Sequence, residues 1–172
     1  FNRALVGALD ITLGYLQNAL YVYTVTACHL AHQTNFRTPR MLDHMTFRVT
    51  NISRAKAFYS AALAPLGYSV CFEGNYGSNM LGLAYPDASE PDGKKADVWF
   101  IDGPSPYGGP TTTSGCHLAW RAKNRAQVDA FYKAAIAAGG KDNGAPGLRP
   151  DYHANYYGAF VIDPEGNNIE AV

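Results

Sequence analysis

The sequence predicts an α+β fold made of two tandem β-α-β-β-β modules, and three observations predict it. The first is a repeat: Asp43-His44-Met45-Thr46-Phe47-Arg48 returns 73 positions later as Cys116-His117-Leu118-Ala119-Trp120-Arg121. The same offset carries Asn51, Phe58, Tyr59 and Gly67 onto Asn124, Phe131, Tyr132 and Gly140, and Pro91 and Gly93 onto Pro164 and Gly166. Self-similarity at a fixed period marks a duplicated structural unit. The second observation is that each copy opens with an alternating segment and continues with a helical stripe. The third is that both alternating segments place His and Arg on one face and apolar residues on the other.

Composition bounds the alternatives. Hydrophobic residues make up 47% and charged residues 16% of 172, which suits a globular domain with a sizeable core. Lys+Arg and Asp+Glu are 14 each, so the chain lacks the basic footprint of a nucleic-acid binder. Cys28, Cys71 and Cys116 form no CxxC pair, which argues for reduced thiols and a cytoplasmic setting.

Residues 1–40 stand outside the repeat. The apolar segment 4–31 is interrupted by Asp10, Gln17, Asn18 and His29. A spanning helix wants about 20 nearly uninterrupted apolar residues, so no membrane span is expected. The expectation is an N-terminal extension, with an amphipathic helix around 13–25, ahead of a start at Met41. A targeting role is the other reading, since Arg3, Arg37 and Arg40 outnumber Asp10. The domain proper is then 41–172, with modules 42–101 and 115–172.

In the first module, 42–49 alternates. His44, Thr46 and Arg48 take one face; Met45, Phe47 and Val49 take the other. Ala55, Phe58, Tyr59, Ala62, Leu63 and Leu66 then form a helical stripe, with Asn51 or Ser53 as cap and Gly67 as stop. Strands are expected around 68–73, 80–85 and 96–101. After the linker 102–114 the second module repeats the order. Its helix carries Val128, Phe131, Tyr132, Ala135 and Ile136, with Asn124 and Gln127 placed to cap it. The Gly- and Pro-rich stretch 141–155 reads as a long loop with one short strand. A strand at 156–162, the turn Asp163-Pro164-Glu165-Gly166 and a last strand at 168–172 follow.

The faces point to a site. The apolar sets should pack beneath the helices, which leaves His44 and His117 on the helix-free side. In the last strand Ile169 and Ala171 match the helix side, so Glu170 joins the histidines. Neutral imidazoles plus one carboxylate suit a divalent metal with positions left open for substrate. Arg48 and Arg121 share that face and can hold a substrate carboxylate. Their plainer use is pairing with nearby carboxylates. His153 is a candidate proton shuttle.

The segments LDHMTFRV, SRAKAFYSAALAPLGY, CHLAWRA, QVDAFYKAAIAAGG and FVIDPEGNNIEAV resemble the vicinal oxygen chelate superfamily: glyoxalase I, bleomycin-resistance proteins and extradiol dioxygenases. The resemblance covers about 42–172. It implies paired βαβββ modules forming a curved mixed sheet around a metal-centred cavity. It also implies one divalent ion (Fe, Mn, Zn, Ni or Co) held by His44, His117 and Glu170. The implied function is metal-dependent small-molecule chemistry of the lyase, isomerase or dioxygenase kind, with Glu170 and His153 as catalytic groups. Arg48, Trp99, Arg121 and Tyr157 are the expected substrate contacts, and a homodimer is a compatible assembly. The alternative is a non-catalytic protein that sequesters a ligand.

Two positions decide the branch. The ungapped repeat sets Asp97 opposite Glu170, as a fourth ligand; a slip of two sets Trp99 there, as a pocket wall. The extradiol pattern wants a His upstream of a Tyr and the Asp-Pro turn. His153 fits, but Phe160 stands in place of the Tyr, which weighs against catechol cleavage.

Overall fold

In the computed structural model, residues 42–87, 90 and 92–172 are described. The expectations for an N-terminal extension and its helix lie outside them. Residues 42–172 form one unit. Its order is β1 (Met45–Arg48), α1 (Ile52–Leu63), a 3₁₀ turn (Ala64–Leu66), β2 (Ser69–Asn75), β3 (Asn79–Ala84) and β4 (Val98–Ile101). Then come β5 (His117–Trp120), α2 (Arg125–Ala137), β6 (Lys141–Leu148), β7 (Tyr157–Ile162) and β8 (Asn168–Ala171).

Each module has its own four-stranded mixed sheet. The orders are β1-β4-β3-β2 and β5-β8-β7-β6, so the expected duplication is present strand for strand. In each, the first strand runs parallel to the last and the remaining pairings are antiparallel. Asn51 and Asn124 start the helices as foreseen. Their side chains accept from Arg54 N at 2.9 Å and Gln127 N at 3.0 Å, satisfying amides that lack an intrahelical partner.

The helical stripes pack as the spacing requires. Phe58, Tyr59, Leu63, Phe131 and Ala135 are all buried, and they share one core with Phe47, Phe100, Trp120 and Val161. Each fully buried side chain of this size contributes about 1.5–3 kcal/mol through removal from water. The two helices pack against each other, so the modules meet through their helix sides.

The turn after β7 ties the modules together by polar contacts as well. Tyr59 of α1 donates to Asp163 Oδ2 at 2.5 Å. Asp163 also accepts from the amides of Glu165 and Asn167 at 2.9 and 2.7 Å. Glu165 in turn accepts from Thr50 Oγ1 at 2.8 Å and Arg54 Nη2 at 2.7 Å.

One element differs from the expectation. The stretch read as a long loop with one short strand holds β6, which is eight residues long. Its pairing with β7 is interrupted at Asp142/Gly144 and again at Gly144/Gly147. Bulges and a proline suit an edge strand, where missing ladder bonds cost little. They also erase the period-two signal that would mark a strand.

Candidate metal centre

The site begins with strand alternation. On β5, Trp120 is buried in the core, whereas His117 and Ala119, and Arg121 just after the strand, are exposed. On β8, Ile169 and Ala171 join the core and Glu170 points to the other side, as its pairing with Ala119 requires. Glu170 is nevertheless only 2% exposed. A carboxylate so enclosed needs partners. Tyr156 donates its hydroxyl to Oε1 at 2.6 Å, and His117 Nε2 faces Oε2 at 3.2 Å.

The backbone makes room for this carboxylate. Phe160 lies across from Glu170 in the β7–β8 register, and stepping back by two reaches Gly158 and then Tyr156, just ahead of the strand. A Cβ added at Gly158 would lie 2.8 Å from Glu170 Oε1. Any other residue there would push the carboxylate off Tyr156.

The other ring nitrogen of His117 fixes its tautomer. Nδ1 lies 3.1 Å from the Asn168 carbonyl, an acceptor only, so Nδ1 carries the proton. A neutral ring then aims the Nε2 lone pair at a carboxylate oxygen. Two acceptors at 3.2 Å are stable only with a cation between them or a second proton on the ring. The Tyr156 phenol is pushed up to about 12 by lost solvation, then by its hydrogen bond to Glu170 and that group's charge. It therefore remains a donor at neutral pH.

His44 lies elsewhere. Its Nδ1 is 2.7 Å from Asp43 Oδ1, and Asp43 is also paired with Lys95. The hydrogen bond to His44, and then that to Lys95, lowers the Asp43 carboxyl below its usual range. A histidine held by a carboxylate through Nδ1 presents Nε2 outward, the posture of a metal ligand. Among the described residues, however, no three His, Cys, Asp or Glu side chains converge within the chain. His44 does not join His117 and Glu170 in one copy.

The sheet register decides between Asp97 and Trp99. Thr46 and Ala119 are repeat mates; Ala119 pairs with Glu170, but Thr46 pairs with Trp99. Trp99 is therefore the counterpart of Glu170. The reason lies in the connection: Trp99 follows Pro91 by eight positions, Glu170 follows Pro164 by six. Asp97 instead accepts from Tyr68 OH at 3.1 Å. Trp99 packs on Phe72 with ring centroids 5.3 Å apart, and Phe72 stacks on Tyr76 at 6.3 Å. Module one thus carries an aromatic wall where module two carries the carboxylate.

The remaining expected contacts divide. His153 reaches the site's margin, its ring 5.2 Å from that of Tyr156. Arg48 donates to the Pro104 carbonyl at 3.2 Å. Arg121 lines a cleft of about 190 Å³ with Asp43, Asp97 and Trp120, and neither His117 nor Glu170 lines it. Tyr157 falls on the opposite side of its strand, where it donates to Asp129 of α2 at 2.7 Å beneath Arg125. It is not placed to meet a ligand bound at Glu170. Tyr156 and Gly158 went unmarked in the sequence. Only the β7–β8 pairing shows that they share a face with Glu170.

These features define a class: duplicated βαβββ proteins with a histidine at the start of each module and a buried glutamate on the final strand. The chain belongs to the Glyoxalase/Bleomycin resistance protein/Dioxygenase superfamily, whose sequence model matches residues 41–171. Solved relatives agree. A glyoxalase/bleomycin resistance protein from Albidiferax ferrireducens T118 is 29% identical, with a TM-score of 0.56 over 77% of this chain and 97% of that one. A glyoxalase/bleomycin resistance protein/dioxygenase family enzyme from Burkholderia phytofirmans PsJN is 20% identical, TM-score 0.51, over 76% and 95%. Glyoxalase I from Zea mays shares the fold at 17% identity and TM-score 0.52, over 76% of this chain and 43% of the maize chain. No curated protein matches the chain. Among the described residues no helix is long and apolar enough to cross a membrane.

Proposed function

We propose that the protein is a divalent-metal-dependent enzyme acting on a small molecule, in which the metal chelates adjacent oxygens of the substrate. The observation that carries this is the approach of His117 Nε2 to Glu170 Oε2 with Nδ1 already committed to a carbonyl. Two acceptors held face to face suit a cation. His117 and Glu170 would hold it, and Tyr156 would orient the carboxylate through its other oxygen. The third ligand is His44 of a second copy. The exposure of both histidines supports this reading.

The metal would supply Lewis acidity for isomerase, lyase or oxygen-insertion chemistry. The chain's own groups divide the remaining work. Glu170 accepts protons, Tyr156 keeps it aligned, and His153 exchanges protons with solvent at the margin. The free thiols Cys71 and Cys116 fit a reducing, cytoplasmic setting.

Metal analysis of the purified protein tests the proposal. The expected result is one divalent ion per chain, lost in His117→Ala while the fold persists, since His117 lies outside the apolar core. A full equivalent of metal in His117→Ala would put the site elsewhere. The second reading, sequestration of a planar ligand without catalysis, is favoured by Trp99 occupying the Glu170-equivalent position beside Phe72. It becomes the better reading if the wild type binds none of Fe, Mn, Ni, Co or Zn.

A further inference from the structure

On the helix-free face of module two, Phe160 is bordered by two polar groups. One is the His117 imidazole, stacked at 6.3 Å and 26°. The other is Arg149, whose Cζ lies 5.4 Å from the ring centroid. Arg149 stands just beyond β6 and donates its amide to the Tyr156 carbonyl at 2.8 Å, so the two side chains share one face. From there the arginine runs back along β6. A Cβ added at Gly147 would lie 3.0 Å from its Nη1, and one at Gly144 would lie 3.3 Å from its Nη2. The glycines that break the strand signal in β6 thus form the trough in which this side chain lies.

The anchoring of Arg149 is neutral. Nη1 donates to the Leu148 carbonyl at 3.3 Å and Nη2 to the Ala145 carbonyl at 2.7 Å. Among the described residues no carboxylate pairs with it. A guanidinium has five donors, so several remain for a ligand. Carbonyl anchors and an aromatic ring fix its position without cancelling its charge. Such a cation beside a candidate metal centre suits a bidentate oxyanion.

We propose that Arg149 binds an oxyanion group of the substrate, carboxylate or phosphate. The substrate's adjacent oxygens then reach past the buried Phe160 ring toward His117 and Glu170. The second half rests on the metal-site reading above; the oxyanion subsite stands on the surroundings of Arg149 alone. Arg48 and Arg121 are displaced from this role because neither borders Phe160.

The test uses the full chain, metal-free and labelled with ¹⁵N-arginine, titrated with benzoate, phenyl phosphate and benzyl alcohol. The Arg149 Nε–Hε resonance, assigned by its loss in Arg149→Gln, should shift saturably with at least one anion and not with the alcohol. Which anion acts identifies the oxyanion. No saturable shift with either anion, or an equal shift with benzyl alcohol, overturns the proposal. Should Arg149→Gln fail to fold, Arg149→Lys makes the assignment. A second arm loads the protein with Mn²⁺ and compares catechol with 3,4-dihydroxybenzoate by calorimetry. The carboxylated chelator should bind at least tenfold tighter, and Arg149→Gln should remove the difference; equal affinities in the wild type count against the subsite. Failure to take up Mn²⁺ while the Arg149 resonance still titrates would sink the metal reading and support the oxyanion subsite.

Discussion

The Tyr156 hydroxyl holds Glu170 Oε1 at 2.6 Å, which turns Oε2 toward His117 Nε2 at 3.2 Å. One phenol thereby selects which carboxylate oxygen faces His117. Tyr156→Phe should leave the fold intact and weaken metal binding by about 10–100-fold, the usual cost of losing a group that orients a ligand. Competition against a metal-sensitive dye measures this. Unchanged affinity would mean that Glu170 is positioned by the strand alone.

The separation of His44 from His117 within one chain predicts complementation. His44→Ala and His117→Ala proteins should each bind little metal. Unfolded together and refolded, their mixed dimers should recover one intact site, built from the unaltered His44 of one copy and the unaltered His117 and Glu170 of the other. Metal content per chain after mixing is the measurement. No recovery, in a protein shown to be dimeric, would assign the ligands to a single copy.

Tyr59 and Asp163 form a buried pair between the modules. Burial above all, and then the nearby Asp163 charge and hydrogen bond, raise the phenol far above its usual range, so it acts only as a donor. Tyr59→Phe should cost about 1–3 kcal/mol, the penalty for leaving a buried acceptor short of one partner. Denaturant unfolding reads this as a lower midpoint with an unchanged slope.

Glu165 gives the stability a pH dependence with a definite sign. Burial pushes its carboxyl up, but hydrogen bonds from Arg54 and Thr50 outweigh burial, and the net value falls below the ordinary 4.5. A depressed folded value stabilises the protein above the unfolded value and loses that contribution as pH falls through the folded value. The wild type should therefore exceed Glu165→Gln by about 1 kcal/mol at pH 7, allowing for the half-exposed Arg54. The gap should narrow as pH falls below 4.5 and close once the lowered folded value is passed. A gap that persists undiminished in acid would show that the charge of Glu165 is not what joins the modules.

The sequence by itself determined the duplication, the faces of the opening strands, the helix caps and the shared side of His44, His117 and Glu170. Each of these is local: alternation within one strand, a stripe within one helix, or a residue type carried forward by a fixed offset. Tertiary structure alone decided the rest. Trp99 rather than Asp97 matches Glu170, because two extra residues before β4 shift the register and only pairing with β1 reveals it. Arg149, Gly158 and Tyr156 meet the site through cross-strand neighbours on β6, β7 and β8, a relation with no fixed spacing along the chain. His44 parts from its expected partners because the buried helix sides, where the apolar area lies, set how the modules pack. The histidine faces are left to whatever next covers them.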